Sequence, residues 1–378
     1  MEKITHKIYG DSPGKQTELV CFKLGSEQAG RKVYLQAALH ADEQPGILVL
    51  HHLLKLLKQA EEQGLLTAQF VVFPMVNPLG MGDIGFRQHQ GRYDRASGVN
   101  FNRNWPDLFK AVGTQVAAQL TDNAQQNIQI VRSALKAWLA KQQPITALQQ
   151  QRHIVLQAAF DADFVLDLHC DNEALPHIFT VPQSAAVMQD LSDWMGAAAT
   201  LFAEDSGGYS FDEVWSTLWL DLAKAYPDKP LPLACHSATL EYRGQFDTFD
   251  ELNQDDAERL YAFLQSQGLI GGDLIRSRPS VTPTGTDLAA TEMTRVQQAG
   301  LLAYKVQLGD VVKKGDVLAD LIALDGEGAL MERIPVLAGT DGVIISRNIN
   351  KYVWPGCSVA KIVGKEKLEA RGEYLLED

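Results

Sequence analysis

The chain is short of sulfur, of positive charge and of long apolar runs, and each shortage narrows what it can be. Its four cysteines, Cys21, Cys170, Cys235 and Cys357, are scattered without a CxxC pair, which suits a reducing cytoplasm better than a disulfide framework. Lys and Arg total 34 against 47 Asp and Glu, a formal net charge of -13, which argues against nucleic acid as a partner because phosphate binding needs a basic surface. No stretch approaches the roughly 20 apolar residues of a membrane span. Met1 to Asp11 carries charges but no apolar segment of the kind a signal peptide needs. The expectation is a cytoplasmic protein without a membrane partner. Any anionic substrate must be gripped by a local arginine cluster working against the global field.

What is present is an ordinary globular composition, 46% hydrophobic over 378 residues, enough for two domains. Val33 to Leu39 is an apolar run of strand length ending at His40. The turn-forming Ala41 to Gly46 follows, and apolar residues at helical spacing resume over Ile47 to Lys58. Phe70 to Val76 reads as a second buried strand closed by Asn77 and Pro78. Pro106 to Phe160 reads as helices over 128–141 and 147–159, broken near Pro144. Phe164 to Leu168 is a third strand, delivering His169, and Thr239 to Glu241 a fourth, delivering a carboxylate. Strands alternating with helices predict an α/β fold with a mixed or mostly parallel sheet flanked by helices. After about Ile275 the pattern changes. A Pro- and Gly-containing linker over 277–286 precedes short glycine-punctuated runs, which predict a small all-β domain. The boundary is set at residues 1–278 and 279–378.

His40, Glu43 and His169 are the His2Glu set that holds a hydrolytic zinc with one position open. The spacing His-x-x-Glu is weak alone, because a surface turn produces it as readily. Its place after a strand, before Pro45-Gly46 and a helix, and with Asp167-Leu168-His169 downstream, favours the metal. Asn102 and Arg103, within Gly98 to Trp105, offer a planar fork for a substrate carboxylate. Arg87, Arg92 and Arg95 lie on the loop before it. One of the three is expected to polarise the scissile carbonyl. Arg95 is taken for that role and Arg92 as substrate-binding, with the choice among Arg87, Arg92 and Arg95 left open and the remainder read as a solvated basic loop. Glu241, taken alone, is a salt-bridged edge glutamate.

Leu39 to Gly46, Asn77-Pro78, Gly98 to Trp105, Asp167 to His169 and Glu241 together resemble the zinc carboxypeptidase-like enzymes, and within them the succinylglutamate desuccinylase/aspartoacylase family. The resemblance covers roughly residues 30 to 275. It implies one zinc per chain on His40, Glu43 and His169, a substrate carboxylate on Asn102 and Arg103, and Glu241 as general base. It also implies a C-terminal β-rich domain. Here that domain looks like a barrel-sandwich without a modifiable lysine at its hairpin, so no attached cofactor is expected. Two departures stand out. Ala41 replaces a usual glycine, and Asn100 stands where peptidases of this group carry an Asp that orients the first histidine. The expected activity is hydrolysis of the amide of an N-acyl amino acid. The alternatives are a metallocarboxypeptidase or deglutamylase acting on short peptides, and a catalytically silent binding protein. The acyl group, the amino acid and any homo-oligomer stay open.

Overall fold

The computed structural model describes residues 1–10, 12–369 and Leu375. Its centre is a nine-stranded mixed sheet built from β1 (Glu2–Tyr9), β2 (Gln16–Leu24), β3 (Lys32–Ala37), β4 (Gln69–Phe73), β5 (Phe164–Asp171), β6 (His177–Thr180), β7 (Ala199–Phe202), β8 (His236–Gly244) and β9 (Thr286–Asp287). Their order across the sheet is β1-β2-β4-β3-β5-β8-β6-β7-β9. The four central strands β4, β3, β5 and β8 run parallel, with Gln36 opposite Asp167 and Glu241 opposite His169. That register brings the carboxyl ends of β3, β5 and β8 to one rim, where open α/β sheets place their sites.

Helices cover both faces, so the central strands are apolar on both sides. Val33, Leu35, Ala37, Phe164, Leu166 and Leu168 pack toward α1 (Pro45–Glu62), α5 (Ala185–Met195) and α7 (Asp250–Ser266). The alternate residues Tyr34 and Val165 face α2 (Leu108–Val116), α3 (Ala124–Leu139), α4 (Ala147–Ala159) and α6 (Glu213–Ala225). Asp167 and His169 share this second face by strand alternation. The helical reading of the glutamine-rich stretch holds, and α4 opens with a capping box between Thr146 and Gln149.

The strands after residue 290 are short and antiparallel. The order β10 (Thr291–Arg295), β17 (Ser358–Val363), β15 (Gly342–Arg347), β12 (Val311–Val312) forms one sheet. A second runs β14 (Arg333–Leu337), β13 (Val317–Ile322), β11 (Gly300–Tyr304), β16 (Tyr352–Val353). Strand β9 pairs with β7 on the edge of the large sheet, and Glu173–Ala174 pairs with β15. The two parts therefore interlock around the segment that follows His169. Among the described residues no helix is long and apolar enough to cross a membrane.

Candidate metal centre

Three local devices place the first two candidate ligands. After β3 the backbone turns at Ala38, a non-glycine residue at φ 57. Asn77 then fixes the turn, its Nδ2 donating to Leu39 O at 2.8 Å and its Oδ1 accepting from Gly80 N at 2.8 Å. Helix α1 starts against the sheet because residue 46 is glycine: a Cβ there would lie 2.9 Å from Leu168 Cβ and 3.1 Å from Ala37 Cβ. Glu43 N–H donates to His40 O at 3.1 Å, closing the tight turn that aims both side chains at one point.

His169 arrives from β5 and completes the group. Each of His40, Glu43 and His169 offers a ligand atom, and these atoms all lie within 4.8 Å of one another. Glu43 Oε1 is 2.9 Å from His40 Nδ1, and Glu43 Oε2 is 2.7 Å from His169 Nδ1. An oxygen atom stands behind each of the other ring nitrogens. His40 Nε2–H donates to Asn100 Oδ1 at 2.8 Å, which leaves Nδ1 as a bare lone pair facing Glu43. His169 Nε2 lies 3.0 Å from Asp167 Oδ2. A carboxylate or amide oxygen behind each imidazole is the usual support of a metal-binding histidine.

The electrostatics suit a cation. Burial, then Arg92, pushes the His40 imidazole down to about 4, keeping it in the neutral form a metal requires. Burial would lower His169 as well, but the Asp167 and Glu43 carboxylates hold it well above the ordinary histidine range. Burial alone would raise Glu43, yet the two histidines hold it well below the usual carboxylate range. A proton on His169 thus stands where a positive charge is wanted, and a divalent ion on the two Nδ1 atoms and Glu43 fits the same field. Cys170 takes no part through sulfur. Its backbone N–H donates to Glu43 Oε2 at 3.2 Å, and burial pushes its thiol well above the usual range.

These groups line a cavity of about 360 Å³ that also receives Arg92, Asn102, Arg103 and Glu241. Glu241 Oε2 is buried without a hydrogen-bond partner. Burial, then Glu43, pushes the Glu241 carboxyl up to about 8. Asn102 and Arg103 are buried, with Asn102 Oδ1 accepting from Phe211 N at 2.8 Å and Arg103 donating to Asn102 O at 2.9 Å.

The loop arginines require a correction. Arg95, expected to polarise the carbonyl, is 74% exposed and paired with Asp83 at 2.9 Å, outside the cavity. Arg87 sits at φ 66 in an exposed turn. Arg92 is the one that reaches in, 3.0 Å from Glu43 Oε1. The reason lies next door: Gly91, at φ 55, lies so close to the first loop that a Cβ would meet Asp42 N at 2.4 Å, and its carbonyl accepts from Ala41 N–H at 2.9 Å. That contact carries Arg92 to the ligands and leaves Arg95 in solvent.

Sequence reading missed part of the wall. Ile349, Asn350 and Lys361 of the C-terminal sheets line the cavity, and Lys361 pairs with Asp171. Ser206, Asp212 and Glu213 line it as well. No motif marks them; the only signal was the polar, glycine-containing composition of the loop before α6.

Residues 29–204 match the family described as Succinylglutamate desuccinylase/Aspartoacylase catalytic domain. No curated protein matches the chain. Among solved structures, a succinylglutamate desuccinylase/aspartoacylase family protein from Shewanella amazonensis superposes with a TM-score of 0.82 at 25% identity, covering 97% of this chain and 99% of that one. A second from Shewanella frigidimarina gives 0.81 at 22% identity, with 96% of each chain covered. The product-bound ectoine utilization protein from Ruegeria pomeroyi shares the fold, at 0.65 and 18% identity over 96% of this chain and 95% of that one.

Proposed function

We propose, from the match of residues 29–204 to the succinylglutamate desuccinylase/aspartoacylase catalytic domain, that the chain is a zinc-dependent amidohydrolase that removes the acyl group from an N-acyl amino acid. The observation that carries this reading is the convergence of His40 Nδ1, Glu43 and His169 Nδ1 in the cavity that also holds Glu241 and the Asn102–Arg103 pair. His2Glu with an open position is a hydrolytic zinc set. Bound there, zinc supplies Lewis acidity, easing loss of a proton from water and polarising the acyl carbonyl.

The protein's own groups do the rest. Asn102 and Arg103 hold the α-carboxylate of the amino acid half, which fixes the amide over the ligand group. Glu241 takes a proton from the attacking water as its oxygen bonds to the carbonyl carbon. Arg92 donates to the oxygen that becomes negative. When the C–N bond breaks, Glu241 returns the proton to the departing nitrogen, leaving a carboxylate and a free amino acid. A carboxyl whose proton affinity is raised suits both halves of that exchange. Ile349, Asn350 and Lys361 narrow the cavity toward small substrates.

Release of a C-terminal residue from a peptide uses the same groups, and Gly98 to Trp105 resembles the peptidase version of the motif. The closed wall favours the smaller substrate. Purified zinc-loaded protein should hydrolyse members of a panel of N-acetyl, N-formyl and N-succinyl amino acids, with kcat/KM above that for dipeptides and tripeptides of the same C-terminal residue. Peptide turnover exceeding that of every N-acyl amino acid would reverse the order, and no turnover of either would end the reading.

A further inference from the structure

One side chain ties helix α4 to the loop that carries the Asn102–Arg103 clamp. Arg152, on the second turn of that helix, donates through one terminal nitrogen to Asn104 O at 2.8 Å and through the other to Arg103 O at 2.6 Å. The second nitrogen also meets Phe101 O at 3.3 Å and Asn100 O at 3.4 Å. The guanidinium stands over the Trp105 ring, 4.9 Å from its centroid. Among the described residues all its hydrogen bonds thus go to backbone oxygens of this one loop.

Such bonds could do no more than satisfy carbonyls and staple a loop to a helix. Their distribution is more selective than that. The short ones reach Arg103 and Asn104, at the clamp, and the long ones reach Phe101 and Asn100, the residue behind His40. The clamp end is also where the backbone needs an outside brace. Asn104 sits at φ 58, in the left-handed region that costs a non-glycine residue energy. Its N–H donates to Gly208 O at 2.7 Å, so Asn104 is gripped through both of its backbone polar groups. Gly208 in turn lies against the Arg103 stem, where a Cβ would meet Arg103 Cδ at 2.6 Å. A planar fork of donors fixes carbonyls relative to one another, which the point charge of a lysine does not. A carboxylate clamp depends on that precision, because bidentate bonding and substrate placement are lost with small displacements.

We infer that Arg152, which does not line the cavity, is a positioning residue that presets Asn102 and Arg103 for the substrate's α-carboxylate. This rests on the deacylase reading, which assigns that carboxylate to the pair.

Two variants test it. Arg152→Lys keeps the charge and most of the stem, and Arg152→Met keeps the apolar stem alone; a thermal melt checks each, and either one that folds decides. Calorimetry on the zinc-loaded proteins measures binding of free L-alanine, L-leucine, L-glutamate and L-lysine, and of the α-carboxamide of the tightest. The unaltered protein should bind that acid about tenfold or more tighter than its amide. In the variants the preference should shrink to about threefold or less. Zinc affinity, by chelator competition, should stay within about threefold, because the bonds toward Asn100 are the long ones. A brace that serves stability alone would lower both affinities together and leave their ratio unchanged. An unchanged ratio in a folded variant, no preference in the unaltered protein, no amino acid bound, or zinc affinity falling as far as carboxylate affinity overturns the inference. Hydrolysis of the N-acetyl amino acids is measured alongside. Preference lost in the variants, with no N-acyl amino acid hydrolysed by any of the proteins, upholds the inference and overturns the deacylase reading; hydrolysis with the preference intact in the variants does the reverse.

Discussion

Replacing Glu241 by Gln keeps the side chain's size and removes its ability to take a proton. In the structure this carboxyl is buried beside Glu43, has one oxygen without a partner, and is pushed up to about 8. A positioned general base contributes roughly 10²- to 10⁴-fold to rate, equivalent to about 3–5 kcal/mol of barrier. Hydrolysis of the best N-acyl amino acid should therefore lose that factor in kcat. Zinc content should be unchanged, because Glu241 is not among the three grouped ligands. Thermal stability should hold, since the amide matches the size of a carboxyl that burial, then Glu43, already pushes toward its neutral form. Steady-state kinetics, metal analysis by mass spectrometry and a thermal melt read the three quantities. A Glu241→Gln protein with full zinc and kcat within about threefold of the parent would refute the assignment.

Asn100→Ala removes the oxygen that His40 Nε2–H donates to; zinc affinity, measured by chelator competition, should fall about 10- to 100-fold. Arg92→Ala should lower kcat/KM by about 10²-fold or more, whereas Arg95→Ala, at an exposed pair, should change it by less than about twofold. Comparable losses in both would mean the loop moves in solution. Burial, then the neighbouring Asp212, pushes Glu213 up to about 7, against the opposing Ser206 hydrogen bonds and with Asp205 adding to the rise. The folded state thus binds the proton more tightly than the unfolded chain. Stability contributed by protonated Glu213 is present below about pH 4.5 and lost between there and about 7, on the order of 3 kcal/mol at most. Melts from pH 4.5 to 7.5 should show Glu213→Gln losing less stability with rising pH than the parent; parallel curves would contradict this.

The ligands were legible because each ends an apolar strand or opens a helix, and Pro45-Gly46, Asn77-Pro78 and Asp167 stand at fixed offsets around them. Asn100 was legible for the same reason, and its contact with His40 is the one its position suggested. The arginine could not be chosen within 87–95, since that loop's path is set by contact of Gly91 with Ala41 and Asp42, some fifty residues earlier. The N-terminal hairpin of β1 and β2 escaped notice because β1 is an edge strand with a single fully buried residue, Ile8, so its alternation is weak. Asp212 and Glu213 escaped because their neighbours in space, Ser206 and Thr239, come from separate strand and loop segments.

The central claim is that one zinc ion sits on two Nδ1 atoms and one carboxylate. Anomalous scattering from a crystal, collected on either side of the zinc edge, tests it most directly. A single zinc peak per chain within about 2.0–2.2 Å of His40 Nδ1, Glu43 and His169 Nδ1 is the predicted result. Zinc-supplemented crystals showing no peak there, or a peak bound by other residues, would contradict it.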